Sequence, residues 1–129
     1  KFMDSCVEAA KRTAFAETVL GRRRKIPNIS SKNANKRRQA ERLAVNTVIQ
    51  GSAADLIKVA MINIQRKIES ENLPVKLILQ IHDELVFELP TTGADEHAKW
   101  ISEEMTTAIK LDVPLKVDIG CGPTWLSGK

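Results

Sequence analysis

The chain has 129 residues, 43% of them hydrophobic and 28% charged, which suits one core and is too apolar for a disordered chain. No uncharged apolar run approaches the roughly 18 residues that a membrane span needs, and Cys6 and Cys121 stand far apart with no CxxC pair and no histidine at ligand spacing, so a membrane span, a zinc site and a disulfide framework are all disfavoured. The net charge of +4 is unevenly divided: residues 1 to 50 carry 12 Lys and Arg against 4 Asp and Glu, and residues 51 to 129 carry 8 against 12. These traits predict a soluble protein of a reducing, intracellular compartment. The chain starts at Lys1 in sequence that is already helix-like and has no signal-peptide pattern, so it is expected to be cut from something longer.

Val7, Ala10 and Ala14 recur at helical spacing with no Gly or Pro between them, which predicts a helix over 2–14. Residues 15–20 are more extended, Gly21 punctuates them, and Pro27-Asn28 with Ser30-Ser31 reads as a loop. Helix formers return from Asn35 to Ile49, with Arg38, Arg42 and Asn46 at successive i+4 positions along one polar face. Gly51 predicts a break, and Ser52 followed by Asp55 matches a capping box that opens a new helix. Ile57, Ala60, Met61, Ile64 and Ile68 then make a stripe that predicts a core-packing helix. Beyond a turn at 72–74, two alternating runs, Val75 to Ile81 and Leu85 to Leu89, predict a tight antiparallel hairpin with His82 and Asp83 at its turn. Thr92 and Asp95 again match a capping box, ahead of a helix carrying Ala98, Ile101, Met105, Ala108 and Ile109. A short strand is predicted at 114–119, and the Gly-rich tail reads as irregular apart from Trp125. Helices segregated from an antiparallel sheet define the fold class as α+β.

Two features carry chemistry. The basic half concentrates Arg22, Arg23, Arg24, Lys25, Lys32, Lys36, Arg37, Arg38 and Arg42 around the single acid Glu41, a density that suits phosphate contact as well as an ordinary solvated surface. Six of these nine are arginines, whose planar fork favours bidentate contacts to phosphates or base edges. Aromatic residues are only 4% and tyrosine is absent, so a base-stacking platform is poorly supported. The other feature is His82-Asp83-Glu84, where ionisable side chains interrupt an apolar hairpin. A Mg²⁺ ion is commonly held by one or two carboxylates plus substrate phosphates, which makes Asp83 a plausible but incomplete ligand set; a plain polar turn is the alternative. Asp55 and Asp118 read as a helix cap and a surface charge on an edge strand.

Taken in order, Gly21-Arg22-Arg23-Arg24 with Ile26-Pro27, Ala40-Glu41-Arg42, Asn46-Thr47, Ile49 to Asp55, Gln80 to Leu85, and Pro114-Leu115-Lys116-Val117 with Gly122-Pro123-Thr124-Trp125 resemble the C-terminal end of a family A DNA polymerase. The resemblance spans nearly the whole chain. It implies part of the right-handed polymerase fold, with residues 1–34 a remnant of the fingers and 35–129 the C-terminal part of the palm, built on an antiparallel palm-type sheet with packed helices. It implies that Asp83 binds catalytic Mg²⁺, that His82 lies near the primer terminus, and that Glu84 participates more weakly. Arg24, Arg42, Asn46 and Gln50 match positions that contact DNA.

The implied activity is template-directed nucleotidyl transfer to a primer 3′-hydroxyl in replication and repair. Two Mg²⁺ ions would activate that hydroxyl and neutralise the leaving pyrophosphate. The implied partners are primer-template DNA, a dNTP and the remainder of the parent polymerase, with no membrane, in the cytoplasm of a bacterium near its nucleoid. The family's first metal-binding aspartate, its nucleotide-gripping fingers helix, its thumb and its exonuclease region have no counterpart here, so the isolated chain is expected to be inactive. Lys25 stands where an aromatic residue is common, and Gly120-Cys121-Gly122 is a further mild departure. A non-catalytic duplex-binding module and a phosphoesterase using Asp83 and Glu84 are the competing readings. The first has no need of the acidic hairpin, and the second lacks a further His/Asp cluster.

Overall fold

The computed structural model describes residues 1–128. It divides into two compact units, Lys1–Asp55 and a second that begins at Leu56. The α+β class is as expected: the described residues form three α-helices and two separate two-stranded antiparallel sheets. No helix among them is long and apolar enough to cross a membrane.

In the first unit, helix α1 (Phe2–Thr13) buries Cys6 and Ala10 and stops at Ala14, which takes a left-handed φ of 63° and donates its N–H to the Ala10 carbonyl. Strand β1 (Phe15–Glu17) follows and pairs with β2 (Arg23–Lys25), Ala16 opposite Arg24. Two residues of the arginine triplet, Arg23 and Arg24, therefore lie in a strand. The chain then inserts Ile26 and Ile29 beside Ala10, Ala16, Ala40 and Ala44, with Leu43 and Val48 packed against them. The alanines allow close backbone approach.

Helix α2 spans Ala34–Glu71. Asn33 caps it by accepting from the Asn35 and Lys36 amides at 3.0 and 3.2 Å, the arrangement that satisfies otherwise orphaned donors. The predicted break at Gly51 does not occur, and Ser52 and Asp55 open no new helix. Glycine inside a helix costs about 1 kcal/mol relative to alanine. Here it is needed for space, because a Cβ at position 51 would lie 2.6 Å from Thr18 Cγ2. The Ser52 and Asp55 side chains accept hydrogen bonds from the β1–β2 turn.

In the second unit, four of the five residues of the predicted α2 stripe, Ile57, Ala60, Ile64 and Ile68, are under 10% exposed, and Met61 is half-buried. The helix ends at Asn72, φ 49°, whose amide and that of Leu73 return to the carbonyls of Glu69 and Ile68, a Schellman stop in which Leu73 and Ile68 also share one apolar cluster. Strands β3 (Lys76–Ile81) and β4 (Glu84–Glu88) form the expected hairpin. Helix α3 (Ala94–Thr107) places Ile101 against Ala60, Ile64, Ile68 and Val75, with Leu85, Phe87 and Trp100 closing the cluster.

Two expectations fail in this unit. The Thr92–Asp95 capping box is absent: Gly93 is the N-cap, at φ 80°, with no side-chain cap bond. Asp95 and Glu96 still sit in the first turn, where negative charge complements the helix dipole. Residues 114–119 form no strand. Leu115 and Val117 are half-buried and Lys116 and Asp118 exposed, so the alternation survives, but no described segment supplies the ladder hydrogen bonds that a strand requires. The tail closes in a short 3₁₀ turn at Trp125–Gly128.

Candidate metal and nucleic-acid site

The β3–β4 register pairs Ile81 with Glu84, so His82 and Asp83 alone make the turn. His82 takes a positive φ of 52° and Asp83 does not, the φ pattern of a II′ hairpin turn, whose first position usually holds glycine. Gln80 Nε2 donates to the His82 carbonyl at 3.0 Å. The strands below are anchored by Leu85, Phe87 and Val75 in the apolar cluster. A bulge between Leu77 and Leu79 shifts the register, so Leu79 lies opposite Val86 and Gln80 opposite Leu85. Beside this slip Leu79 is 44% exposed, whereas strict alternation predicts it on the inner face and only Ile78 outside.

His82, Asp83 and Glu84 are all exposed at this tip. Asp83 makes no side-chain hydrogen bond or ion pair among the described residues. No group of three or more His, Cys, Asp or Glu side chains among those residues could hold a metal ion. The donor set therefore fits one ligand of an open magnesium site, in which waters and substrate phosphates fill the other positions. It does not fit a closed protein cage.

The DNA-facing residues read from sequence lie in the first unit. Arg42, Asn46 and Gln50 share one exposed face of α2, extended by Arg38 one turn earlier. Arg24 is exposed on β2. The structure thins the basic cluster, however. Arg22 Nε donates to Asp55 Oδ1 at 2.9 Å and its Nη2 to the Gly51 carbonyl at 3.1 Å. Arg23 is held by Glu17 at 2.8 Å, and Arg37 Nη1 donates to the Ser31 carbonyl at 2.9 Å. Arg24, Lys25, Lys32, Lys36, Arg38 and Arg42 make no side-chain hydrogen bond or ion pair among the described residues, so these six are the cations available to an external phosphate.

Sequence reasoning missed Asp55. It is 6% exposed, and it accepts from both Thr18 Oγ1 and Arg22. The available signal was the run Gly51-Ser52-Ala53-Ala54 ahead of it, small residues that leave room for a second backbone segment to approach.

Comparison with known proteins extends over the same elements. The family model for DNA polymerase family A matches residues 1–127. DNA polymerase I of Bacillus subtilis is 47% identical over 99% of this chain, and that of Geobacillus stearothermophilus 46% identical over 100%. The chain spans 14% and 15% of the length of these two relatives. Among solved structures, the POL domain of Pol1 from M. smegmatis, in complex with DNA primer-template and dNTP, superposes with a TM-score of 0.91 at 43% identity, covering 98% of this chain and 22% of that one. With sequence and backbone both matched from α1 to the C-terminal 3₁₀ turn, the chain belongs to DNA polymerase family A.

Proposed function

We propose that this chain is the C-terminal part of the catalytic domain of a longer, DNA polymerase I-type enzyme that extends a primer 3′-hydroxyl under template direction, in DNA replication and repair, in a bacterial cytoplasm beside the nucleoid. Residues 1–34 belong to the fingers and 35–129 to the palm in this reading. The partners are primer-template DNA, a dNTP and the rest of the polymerase. The observation that carries the reading is the likeness to a polymerase domain in complex with primer-template and dNTP.

The chain's own residues divide the work. Asp83 would hold a Mg²⁺ ion together with a carboxylate from elsewhere in the polymerase, and the apolar anchoring of the hairpin fixes the backbone that carries Asp83. When bound, the two magnesium ions supply Lewis-acid activation and charge neutralisation for phosphoryl transfer. His82 orients the primer terminus and Glu84 assists beside it. Arg24 and Arg42 offer guanidinium forks to backbone phosphate or base edges, and Asn46 and Gln50 offer amides that both donate and accept, as a minor groove demands. The protein's contribution is chiefly position and charge. The 129-residue chain alone lacks a second metal-binding carboxylate and a nucleotide grip, so it should extend no primer.

In the full-length polymerase, Asp83→Asn should lower single-turnover incorporation at saturating DNA by roughly 10²- to 10³-fold, the scale of losing one preorganised electrostatic group, with DNA affinity little changed. Arg42→Ala should do the reverse, weakening duplex affinity and reducing the log–log salt slope by about 0.9, the value of one phosphate contact. Near-parental incorporation by Asp83→Asn, or a defect wholly in DNA affinity, would refute the assignment.

A further inference from the structure

The β1–β2 turn is fastened to α2 by a set of polar contacts that lies entirely within the first unit. Thr18 Oγ1 donates to Asp55 Oδ2 and accepts from the Arg22 amide at 3.1 Å. The Arg22 guanidinium bridges Asp55 Oδ1 at 2.9 Å and the Gly51 carbonyl at 3.1 Å. The Val19 amide donates to Ser52 Oγ at 2.9 Å. The contacts that reach α2 land on Gly51, Ser52 and Asp55, within five residues of Gln50, the last member of the Arg42–Asn46–Gln50 face. Across the hairpin, Arg23 is tied to Glu17, so Arg24 is the arginine of the triplet left to reach outward.

We propose that Asp55 is a positioning residue for DNA: through Thr18 and Arg22 it seats the β1–β2 hairpin on α2, so that Arg24 and the Arg42–Asn46–Gln50 face grip one duplex backbone as a single preorganised surface. This rests on the DNA-binding role given above. A buried carboxylate leaves water at a cost unless donors satisfy it, and both carboxylate oxygens of Asp55 accept from the docked turn, Oδ2 from Thr18 and Oδ1 from Arg22. Undocking the hairpin would withdraw both of these donors from a carboxylate that is 6% exposed. A grip that is already ordered loses less freedom on binding than a loop that must be ordered by its ligand.

The test uses the full-length polymerase, with a primer-template duplex titrated at several potassium chloride concentrations. Asp55→Asn should weaken duplex affinity about tenfold and reduce the salt slope by about 0.9, as Arg24→Ala does, with the KM for DNA rising more than kcat falls. The Asp55→Asn/Arg24→Ala pair should be no weaker than either alone, because both remove the same contact. Gly51→Ala should mimic Asp55→Asn, since its methyl group meets Thr18 Cγ2. Adding Thr18→Ser, which keeps the hydroxyl and deletes that methyl, should restore affinity, and this rescue decides the matter if Asp55→Asn does not fold. Parental affinity and slope for Asp55→Asn, strict additivity with Arg24→Ala, or failure of the rescue would each overturn the proposal. If Arg24→Ala and Arg42→Ala both bind duplex like the parent, the DNA-binding role itself falls. If they weaken binding and Asp55→Asn does not, only the positioning role of Asp55 falls.

Discussion

The first unit is packed around alanines, Ala10, Ala16, Ala40 and Ala44, and its hairpin is fastened through a buried carboxylate, a hydroxyl and an arginine. The second is packed around Ile64, Ile68, Val75, Ile101 and Phe87, and its hairpin is fastened by apolar side chains while its polar residues stand at the tip. The two hairpins thus use the same kind of acid in opposite ways. Asp55 is enclosed by donors from the turn it holds, as a charge withdrawn from water must be. Asp83 is exposed on a turn that needs nothing from it, and is left available for an external cation.

The contrast can be broken most severely from the apolar side. Ile64→Ala removes a fully buried side chain at the centre of the second cluster, and should cost about 2–5 kcal/mol. Urea unfolding of the polymerase carrying it is the measurement, and a loss below 1 kcal/mol would mean that apolar packing is not what holds this hairpin.

The first unit should instead be sensitive to side-chain-to-backbone hydrogen bonds. Asn33→Ala deletes the cap of α2 and should cost about 1 kcal/mol. Faster amide hydrogen exchange at Asn35 and Lys36, with α3 unaffected, is the local signature, and unchanged exchange there would deny the cap its role.

The smallest effect belongs to the polar decoration of the second hairpin. Lys76 and Glu88 approach to 3.8 Å, with side chains 79% and 67% exposed. Lys76→Ala should change stability by less than about 0.5 kcal/mol, as exposed ion pairs do. A larger loss would show that both hairpins depend on polar fastening, and would erase the distinction between them.

The parts legible in sequence were those governed by local periodicity. The Ile57–Ile68 stripe and the two-residue turn at His82-Asp83 follow from spacings of 3.6 and 2, which need no knowledge of distant segments. The parts that were not legible depend on such segments. Gly51 looks like a helix stop until Thr18 occupies the space that its missing side chain leaves. Ser52 and Asp55 carry the signature of a cap, yet their partners come from residues 18–22. Residues 114–119 alternate as a strand should, but pairing is a property of two segments. The candidate site divides likewise: the placement of His82-Asp83-Glu84 at a hairpin tip and of Arg38, Arg42 and Asn46 on one helical face was readable. The internal engagement of Arg22, Arg23 and Arg37 was not, because charge density along a chain does not report which cations already have partners.

The left-handed φ of His82 bears on how this hairpin can be engineered. Glycine adopts such a backbone with no steric penalty, whereas a residue with a Cβ is held there against its preference by about 1–2 kcal/mol. A sequence optimised for stability alone would replace the histidine, and the imidazole beside Asp83 would be lost with it. On the role proposed above for His82, the tip lies on the unfavourable side of a stability–activity trade-off: glycine at position 82 should stabilise the turn and slow primer extension by the full-length enzyme.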